Sequence, residues 1–274
     1  MTAARALVVG ASSAIGRAIA VRLAEMDHAL VLWGRNGNEL EKTAQQCIVA
    51  GANEVVVRCV DVTDGVAMRG AVDAAVSEGG LSTVVWVAGV FDWGPADSAE
   101  PAVWRRLIDV NLTSAAVLTT MVLPALIDAA PSALVFIGSG ASRQAFANNA
   151  AYVASKHGLA GLAGATFLDV RDRGVKVSLV SPGLVAAGAG LLSPAGANSP
   201  QELLAPEDVA AAVAFVVSFP HTGCPTEIQL QPQKSNRRSR HKHEPLPAGQ
   251  LTPRPVGHQA APVVSRRPLN INPT

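Results

Sequence analysis

Three side chains, Ser139, Tyr152 and Lys156, have the types and the spacing of a group that can move a proton. Tyr152 is the only tyrosine among the 274 residues, and it precedes Lys156 by four positions in a segment of helical character. Side chains four positions apart share one face of a helix. Because a nearby ammonium stabilises a phenolate, we expect the pKa of Tyr152 to fall from about 10 toward neutrality, where tyrosine can act as an acid or a base. The alternative is an exposed Tyr–Lys pair on a helix surface.

A turn of small residues near the N-terminus has the pattern of a phosphate-binding site. The sequence GASSAIG follows an apolar run and precedes a helical segment. Glycines in such a turn let the backbone approach a pyrophosphate at the positive end of the helix dipole. The turn predicts dinucleotide binding, and a tight turn without a ligand is the alternative. The predicted cofactor contacts here are Gly10, Ser12, Ser13, Ile15 and Gly16.

The ends of the second and third apolar runs indicate which nucleotide could bind. Gly34 and Arg35 end the second run, where an acidic residue would bind a ribose 2′-hydroxyl and an arginine suits a 2′-phosphate. We therefore predict NADP(H); a solvated surface arginine is the alternative. Asp61, with Val62 beside it, ends the third run. Its carboxylate can accept a hydrogen bond from an adenine amino group or cap a helix that starts near Thr63, and the two roles are compatible.

The order of apolar runs and helical segments predicts the scaffold that positions these side chains. Short apolar runs alternate with longer segments of helical period, which is typical of an α/β, doubly wound, parallel seven-stranded sheet of Rossmann type. Ser139 then emerges at the carboxyl edge of the sheet. A short helix is predicted from a capping box at Ser199. The predicted strands are Ala6–Val9, Ala29–Trp33, Glu54–Val60, Thr83–Val87, Ala133–Ile137, Lys176–Val180 and Glu227–Leu230, and the predicted helices lie near 14–26, 37–50, 64–78, 101–129, 151–172 and 206–218.

Composition excludes several other classes of protein. No run of about 18 uninterrupted apolar residues is present, so a membrane-spanning helix is not predicted. A strand-like run begins at Ala6, which leaves no room for a signal peptide. Three cysteines, Cys47, Cys59 and Cys224, form no CxxC pair, which argues against a disulfide framework and a zinc site. We expect a cytoplasmic protein without a metal site.

The chain divides by charge and composition after Pro232. Residues 1–232, the predicted domain, carry 14 Lys and Arg against 20 Asp and Glu, whereas residues 233–274 carry 8 against 1 and include 7 prolines. A segment of this kind buries too little apolar surface to offset its ordering entropy, so a basic, disordered tail is predicted. The cluster 237–243 could bind nucleic acid or an anionic membrane by counterion release, but it lacks aromatic residues for base stacking. We favour a tail with no function or a weak electrostatic one.

Over about residues 5–231 the sequence resembles the short-chain dehydrogenase/reductase family. The resemblance implies a Rossmann-type fold in which Tyr152 exchanges a proton with the substrate oxygen and Ser139 positions that oxygen. It also implies that Lys156 holds the nicotinamide ribose and lowers the pKa of Tyr152, and that Asn111 supports a water that relays protons. The matching elements are the Gly10–Gly16 turn, Asp61, Ala88-Gly89, Asn111, Ser139, Tyr152 with Lys156, and Pro182-Gly183. Ala88, Gly89, Tyr152, Lys156, Pro182, Gly183 and Val185 are predicted to contact the cofactor.

Three positions depart from the family pattern. The middle glycine of the turn is Ala14, the usual Asn-Asn-Ala-Gly segment reads Trp-Val-Ala-Gly with Val87 at its second position, and the threonine expected to contact the carboxamide is Ala187. These changes leave open a second hypothesis, a dinucleotide-binding sensor or scaffold in which catalysis has faded.

The substrate is predicted to be a small carbonyl compound or alcohol. Side chains that follow the expected strand ends are mostly apolar, and Arg143 is the candidate for a substrate carboxylate, with a solvated arginine as the alternative. The segment 206–232 is similar to the end of NADP-dependent reductases of small 3-hydroxy acids, serine-like compounds and related alcohols. By resemblance we also expect a homodimer or homotetramer. The candidate lining residues are Phe91, Trp93, Ala141, Phe146, Leu191 and Leu192.

Overall fold

The structure, a computed structural model, describes residues 4–234, except for the side chains of residues 194 and 195. The prediction for the tail falls almost wholly outside these residues. The strands are β1 (Arg5–Val9), β2 (Ala29–Gly34), β3 (Val55–Cys59), β4 (Thr83–Trp86), β5 (Ser132–Ile137), β6 (Val175–Pro182) and β7 (Glu227–Leu230). The α-helices are α1 (Ala14–Ala24), α2 (Gly37–Val49), α3 (Gly65–Ser77), α4 (Pro101–Ile108), α5 (Ser114–Asp128), α6 (Ala150–Val170), α7 (Ala189–Leu192), α8 (Pro194–Asn198) and α9 (Pro206–Ser218).

Within residues 4–234, the seven strands form one parallel sheet in the order β3-β2-β1-β4-β5-β6-β7. Val9 at the end of β1 pairs with Trp33 of β2 on one side and with Trp86 of β4 on the other. The chain therefore reverses its direction of winding between β1 and β4. Open α/β sheets bind ligands at the carboxyl ends of the strands beside such a switch point.

Helices cover both faces of the sheet, and each face has its own apolar core. Alternate residues of β1 belong to opposite cores, since side chains alternate along a strand: Ala6 and Val8 face one layer, Leu7 and Val9 the other. The first core takes residues from α1, α2 and α9, and the second from α3, α5 and α6. The predicted doubly wound, Rossmann-type fold is confirmed.

All seven predicted strands are present, with ends that differ from the prediction by at most two residues. The predicted single helix over 101–129 is wrong in one respect. A π-helical turn, Asp109–Thr113, separates α4 from α5. The Ser114 N–H donates to the Asp109 carbonyl, whereas in an α-helix it would donate to the Val110 carbonyl. This turn carries Asn111, and a π-turn re-aims the residues that it contains without any glycine or proline to mark it in the sequence.

The capping box predicted at Ser199 is also wrong, although a short 3-10 helix does begin at Pro200, where the sequence predicts a short helix. The Ser199 side chain makes no cap hydrogen bond, and the chain enters a single 3-10 turn, Pro200–Glu202, followed by extended Leu203. Because the turn ends there, no α-helix presents the free N–H groups that a capping box would satisfy. The short helices α7 and α8 and the 3-10 turn Gly140–Ser142 were not predicted.

The helical stretch Pro101–Asp128, which comprises α4, the π-helical turn and α5, is long and apolar enough to cross a membrane by length and composition alone. Half of its most apolar 18-residue segment is buried inside the protein. Leu118, Val122 and Leu126 of this stretch belong to the second core. The buried face explains the apolar composition, because a helix that lies on a parallel sheet needs such a face.

Candidate active site

The helix α6 brings Tyr152 and Lys156 to the carboxyl end of β5. Tyr152 lies in the first turn of α6, and the Lys156 Nζ lies 5.9 Å from the centroid of its ring. Nζ donates a 3.0 Å hydrogen bond to the carbonyl of Ile137, the last residue of β5. Ser139 follows two residues later, and the interaction of its side chain with Tyr152 lowers the pKa of the phenol. The three side chains that the sequence singles out therefore lie together.

The expected depression of the Tyr152 pKa is not found in the protein alone. Burial raises the pKa of Tyr152, and the hydrogen bond with Ser139 lowers it only in part. Burial also lowers the pKa of Lys156 to about 8. The Lys156 ammonium lies near the ring face and is bonded to a carbonyl, so it makes no hydrogen bond to the phenol oxygen that would offset the desolvation of a phenolate.

Asn111 is held inside the site by the π-helical turn. Its side chain is fully buried, its Oδ1 accepts a 2.7 Å hydrogen bond from the Val90 N–H, and its Nδ2 donates to the Val90 carbonyl and to the Ser155 hydroxyl. A Cβ on Gly89 would lie 3.3 Å from Asn111 Oδ1 and 3.8 Å from Lys156 Nζ. The amide thus fixes the backbone that follows β4 against α6. Ser155, its partner, was missed by the sequence reasoning, although it stands beside Lys156.

The 3-10 turn after β5 fixes the backbone of Ser139. The Ser139 N–H donates to the Ser142 hydroxyl at 3.1 Å, and the Ser139 hydroxyl accepts from the Ala141 N–H at 3.2 Å. A Cβ on Gly138 would lie 2.7 Å from the Ser181 hydroxyl and 2.8 Å from that of Ser142. A larger residue at this point would force the Ser181 and Ser142 hydroxyls to move, and the Ser142 hydroxyl is the one that holds the Ser139 N–H.

The glycine turn lies against the end of β4. Gly10 has a φ of +96°, and a Cβ there would lie 2.8 Å from the Ala88 nitrogen. A Cβ on Gly16 would overlap the Gly10 carbonyl. Ser13 caps α1, accepting from the Gly16 N–H at 3.0 Å and donating to the Gly10 carbonyl at 2.8 Å. Ser12 is half-buried, as is Ile15, which packs on the first core.

A buried hydroxyl that the sequence reasoning missed ties this turn to α2. Thr43 is fully buried, and its Oγ1 lies 3.0 Å from the Ala11 carbonyl and 2.9 Å from the Glu39 carbonyl. Arg17 donates to the same oxygen at 3.3 Å and pairs with the Glu39 carboxylate at 2.5 Å. A threonine inside a helix carries no sequence signal for such a contact.

Arg35 and Asp61 lie at the ends of neighbouring strands and are both exposed. The Asp61 carboxylate accepts from the Thr63 N–H at 2.9 Å and from the Thr63 hydroxyl at 2.8 Å. These bonds lower the pKa of Asp61, and the charges of Arg35 and Arg106 lower it further. Asp61 is not the helix cap: α3 begins at Gly65, and Asp64 caps it.

The remaining predicted cofactor contacts lie after β3, β4 and β6. Val62 and Ala88 are half-buried against the second core. Gly183 donates its N–H to the Leu230 carbonyl at 2.8 Å, directly after Pro182 at the end of β6. Val185 is buried and forms an isolated parallel bridge with Leu204. These residues follow strands whose carboxyl ends share one edge of the sheet.

Arg143 is not a free cation. Its Nε lies 3.0 and 3.1 Å from the two carboxylate oxygens of Glu227, and one terminal nitrogen lies 2.7 Å from Oε2. The pair joins the segment after Ser139 to β7. A substrate carboxylate would have to displace Glu227, which argues against the predicted role of Arg143.

Comparison with known proteins identifies the class. Residues 4–192 match the family model described as short chain dehydrogenase. The match spans more than half of the chain, and the chain belongs to the short chain dehydrogenase family. The family predicted from the glycine turn and the Tyr152–Lys156 pair is thus confirmed.

Individual relatives are similar over most of this chain. Cyclohexanol dehydrogenase of Acinetobacter sp. (strain SE19) is 32% identical, over 78% of this chain and 87% of its own length. Cis-4-hydroxycyclohexanecarboxylate dehydrogenase of Sinomonas cyclohexanicum is 33% identical, over 78% and 88%. A crystal structure of a metagenomic short-chain oxidoreductase in complex with NADP has a TM-score of 0.73 and 28% identity, over 85% of this chain and 99% of that one. The chain also matches 18% of the length of glycine betaine reductase ATRR of Emericella nidulans, at 29% identity.

Proposed function

We propose that the protein is an NADP(H)-dependent oxidoreductase that interconverts a small carbonyl compound and its alcohol, with Tyr152 as the acid or base. The observation that carries this proposal is the position of Tyr152, between Ser139 and Lys156 at the carboxyl edge of the sheet. Membership of the short chain dehydrogenase family and the NADP complex of a structural relative support it.

The residues at this edge fit a dinucleotide. The Gly10–Gly16 turn precedes the N-terminus of α1, where anionic phosphates are favoured. Arg35 is exposed beside Asp61, so it can reach a 2′-phosphate, while the Asp61 carboxylate is kept ionised to accept from the adenine amino group. Gly89, next to Asn111 and Lys156, leaves space for the nicotinamide half.

Each residue of the candidate catalytic group has a distinct task in the reduction. When bound, NADPH would supply a hydride to the carbonyl carbon of the substrate and would itself be oxidised to NADP+. The Tyr152 hydroxyl donates its proton to the carbonyl oxygen, whose π bond breaks, so the product is an alcohol; Tyr152 then regains a proton from solvent. Ser139 donates a hydrogen bond that positions the oxygen, and the Lys156 ammonium stabilises the transient phenolate.

Supporting positions complete this proposal. Asn111 holds the backbone beside Lys156 and supports a proton-relaying water. Ala88 and Gly89, with Pro182, Gly183 and Val185, border the cofactor. Residues 1–232 act as the catalytic domain, which assembles as a homodimer or homotetramer in the cytoplasm, and the reaction does not need residues 233–274.

The alternative is a dinucleotide-binding sensor whose catalysis has faded. Ala14 lies at the exposed start of α1, and Val87 and Ala187 pack against the first core, where they offer no side-chain hydrogen bond to a cofactor. The raised pKa of Tyr152 favours the same alternative, because it increases the cost of a phenolate.

The Tyr152→Phe variant separates these two functions. Loss of the hydroxyl should lower NADPH-dependent reduction of small ketones by at least about 100-fold, while the Kd for NADPH stays within about twofold. Full activity in the variant would refute the role of Tyr152. A wild-type chain that binds NADPH but reduces no carbonyl compound would favour the sensor.

A further inference from the structure

Three exposed aromatic side chains lie on the segments next to the candidate catalytic residues. Phe91, Trp93 and Phe146, here called the aromatic rim, are 38%, 59% and 47% exposed. The whole chain has only six Phe, four Trp and one Tyr, so this concentration is unusual for its composition. A cluster of exposed apolar surface beside polar catalytic groups is typical of a ligand-binding site.

The aromatic rim is directly connected to the reacting groups. The Phe91 and Tyr152 rings meet edge to face, with centroids 5.0 Å apart, and the Trp93 ring lies 6.2 Å beyond Phe91. A Cβ on Gly140, next to Ser139, would lie 3.8 Å from the end of the Phe146 ring. A substrate whose oxygen reaches Tyr152 and Ser139 would therefore lie near these aromatic rings.

Backbone contacts hold the two halves of the aromatic rim together. The Gly94 N–H donates to the Asn148 carbonyl at 2.9 Å, which joins the segment after β4 to the segment before α6. Val90 is bonded twice to the buried Asn111 amide. The rings are thus carried by tethered segments, so the apolar surface is preformed and a ligand need not order it.

The charges of these segments do not suit an anion. Within residues 89–95 and 139–149 the charged side chains are Asp92 and Arg143. Asp92 is exposed between Phe91 and Trp93, and the Arg143 guanidinium is bonded to the Glu227 carboxylate. A carboxylate on the substrate would meet a like charge and an occupied cation.

We infer that the site takes an uncharged ketone or secondary alcohol whose reacting carbon belongs to an apolar ring. The inference rests on the proposed function and adds the class of substrate. A ring buries its faces against Phe91, Trp93 and Phe146 with little loss of its own conformational freedom, whereas an open chain of equal carbon number must be ordered on binding.

Three ketones of matched size test the inference. The probes are 4-methylcyclohexanone, 4-oxocyclohexanecarboxylate and 2-heptanone, each with the wild-type chain and NADPH. We expect kcat/KM for 4-methylcyclohexanone to exceed that for either other ketone by about tenfold or more. Equal or better reduction of the carboxylate would overturn the charge argument, and equal or better reduction of 2-heptanone would overturn the ring argument.

Variants of the aromatic rim provide an independent readout. Trp93→Ala and Phe146→Ala should each raise KM for 4-methylcyclohexanone by about tenfold, with kcat and the Kd for NADPH changed less than about twofold. Phe215→Ala is the matched control, since Phe215 is a 52% exposed phenyl on α9 that meets Phe219 edge to face at 5.3 Å. It should leave KM unchanged.

The outcomes distinguish the inference from the proposed function. If the chain reduces other small carbonyl compounds with NADPH but not 4-methylcyclohexanone, the inference is overturned and the proposed function stands. If it neither binds NADPH nor reduces any carbonyl compound, the proposed function fails and the inference fails with it. Unchanged KM values in both rim variants would also overturn the inference.

Discussion

The ammonium of Lys156 lies over the ring of Tyr152, 5.9 Å from its centroid, and is anchored to the last carbonyl of β5 at 3.0 Å. A charge in this position acts on the ring through space, while its hydrogen bond goes to the backbone. Lys156 is only 5% exposed, and burial lowers its pKa to about 8. Burying the charged form of Lys156 therefore lowers the stability of the folded protein, and strongly shifted pKa values of this kind are common at functional sites.

This cost predicts how stability depends on pH. The usual pKa of Lys156 is 10.5, so between pH 8 and 10.5 the unfolded chain binds more protons there than the folded chain, and stability rises with pH by up to about 3 kcal/mol. In Lys156→Met this contribution is absent. Urea unfolding of both chains from pH 7 to 10.5 should show the wild type gaining about 2 to 3 kcal/mol relative to the variant. A constant difference would contradict the burial of a charged Lys156.

The Thr43 hydroxyl predicts a link between the glycine turn and cofactor affinity. Thr43→Val leaves the Ala11 carbonyl and the Arg17 Nε without this partner, so we expect a loss of about 1 to 3 kcal/mol in stability and about fivefold weaker NADPH binding. Thr119→Val is the control, because the Thr119 hydroxyl is also buried but bonds the Ala115 carbonyl within α5. The control should retain NADPH affinity. Equal weakening in both variants would refute the link.

Lys176 predicts a stabilising helix cap remote from the site. Its Nζ donates to the carbonyls of Val216, Val217 and Phe219 at 3.1, 3.0 and 2.6 Å, at the end of α9. Lys176→Met should therefore cost about 2 kcal/mol in the free energy of unfolding. Lys42→Met, at a 65% exposed position paired with Glu39, should cost less than about 0.5 kcal/mol. The free energy of unfolding of both variants can be measured with urea. Similar losses in the two variants would show that the hydrogen bonds from Lys176 to the three carbonyls contribute little to stability.

Arg35 predicts the preference between the two nicotinamide nucleotides. Arg35→Ala removes an exposed positive charge beside Asp61, so the Kd for NADPH should rise about tenfold while that for NADH stays within about twofold. Arg22→Ala, which breaks an exposed pair with Glu25 on α1, should change neither. Equal losses for both nucleotides in Arg35→Ala would place the charge away from the 2′-phosphate.

The sequence predicted the structure well where the type or spacing of residues limits their backbone conformation or burial. The glycine at position 10 predicts a tight turn after the first strand, and β1 ends at Val9 with a φ of +96° at Gly10. Successive apolar residues predict buried parallel strands, and β7 is found with the predicted bounds. The Tyr152–Lys156 spacing predicts a shared helix face, and the two side chains are neighbours on α6.

Features that depend on tertiary contacts were not predictable in this way. The π-helical turn carries Asn111, and the hydrogen-bond partners of the Asn111 amide, Val90 and Ser155, lie far away in the sequence. The partner of Arg143 is Glu227, 84 residues later. The pKa of Tyr152 depends on its burial, which outweighs the lowering effect of Ser139.

The most direct measurement is a titration of the purified full-length chain with NADPH and, separately, with NADH. Trp33 and Trp86 are buried beside Val9, below the predicted cofactor site, so tryptophan emission should report binding. We expect saturable binding of NADPH with a Kd at least about tenfold lower than that of NADH. A folded chain that binds neither nucleotide, or that prefers NADH, would contradict this expectation.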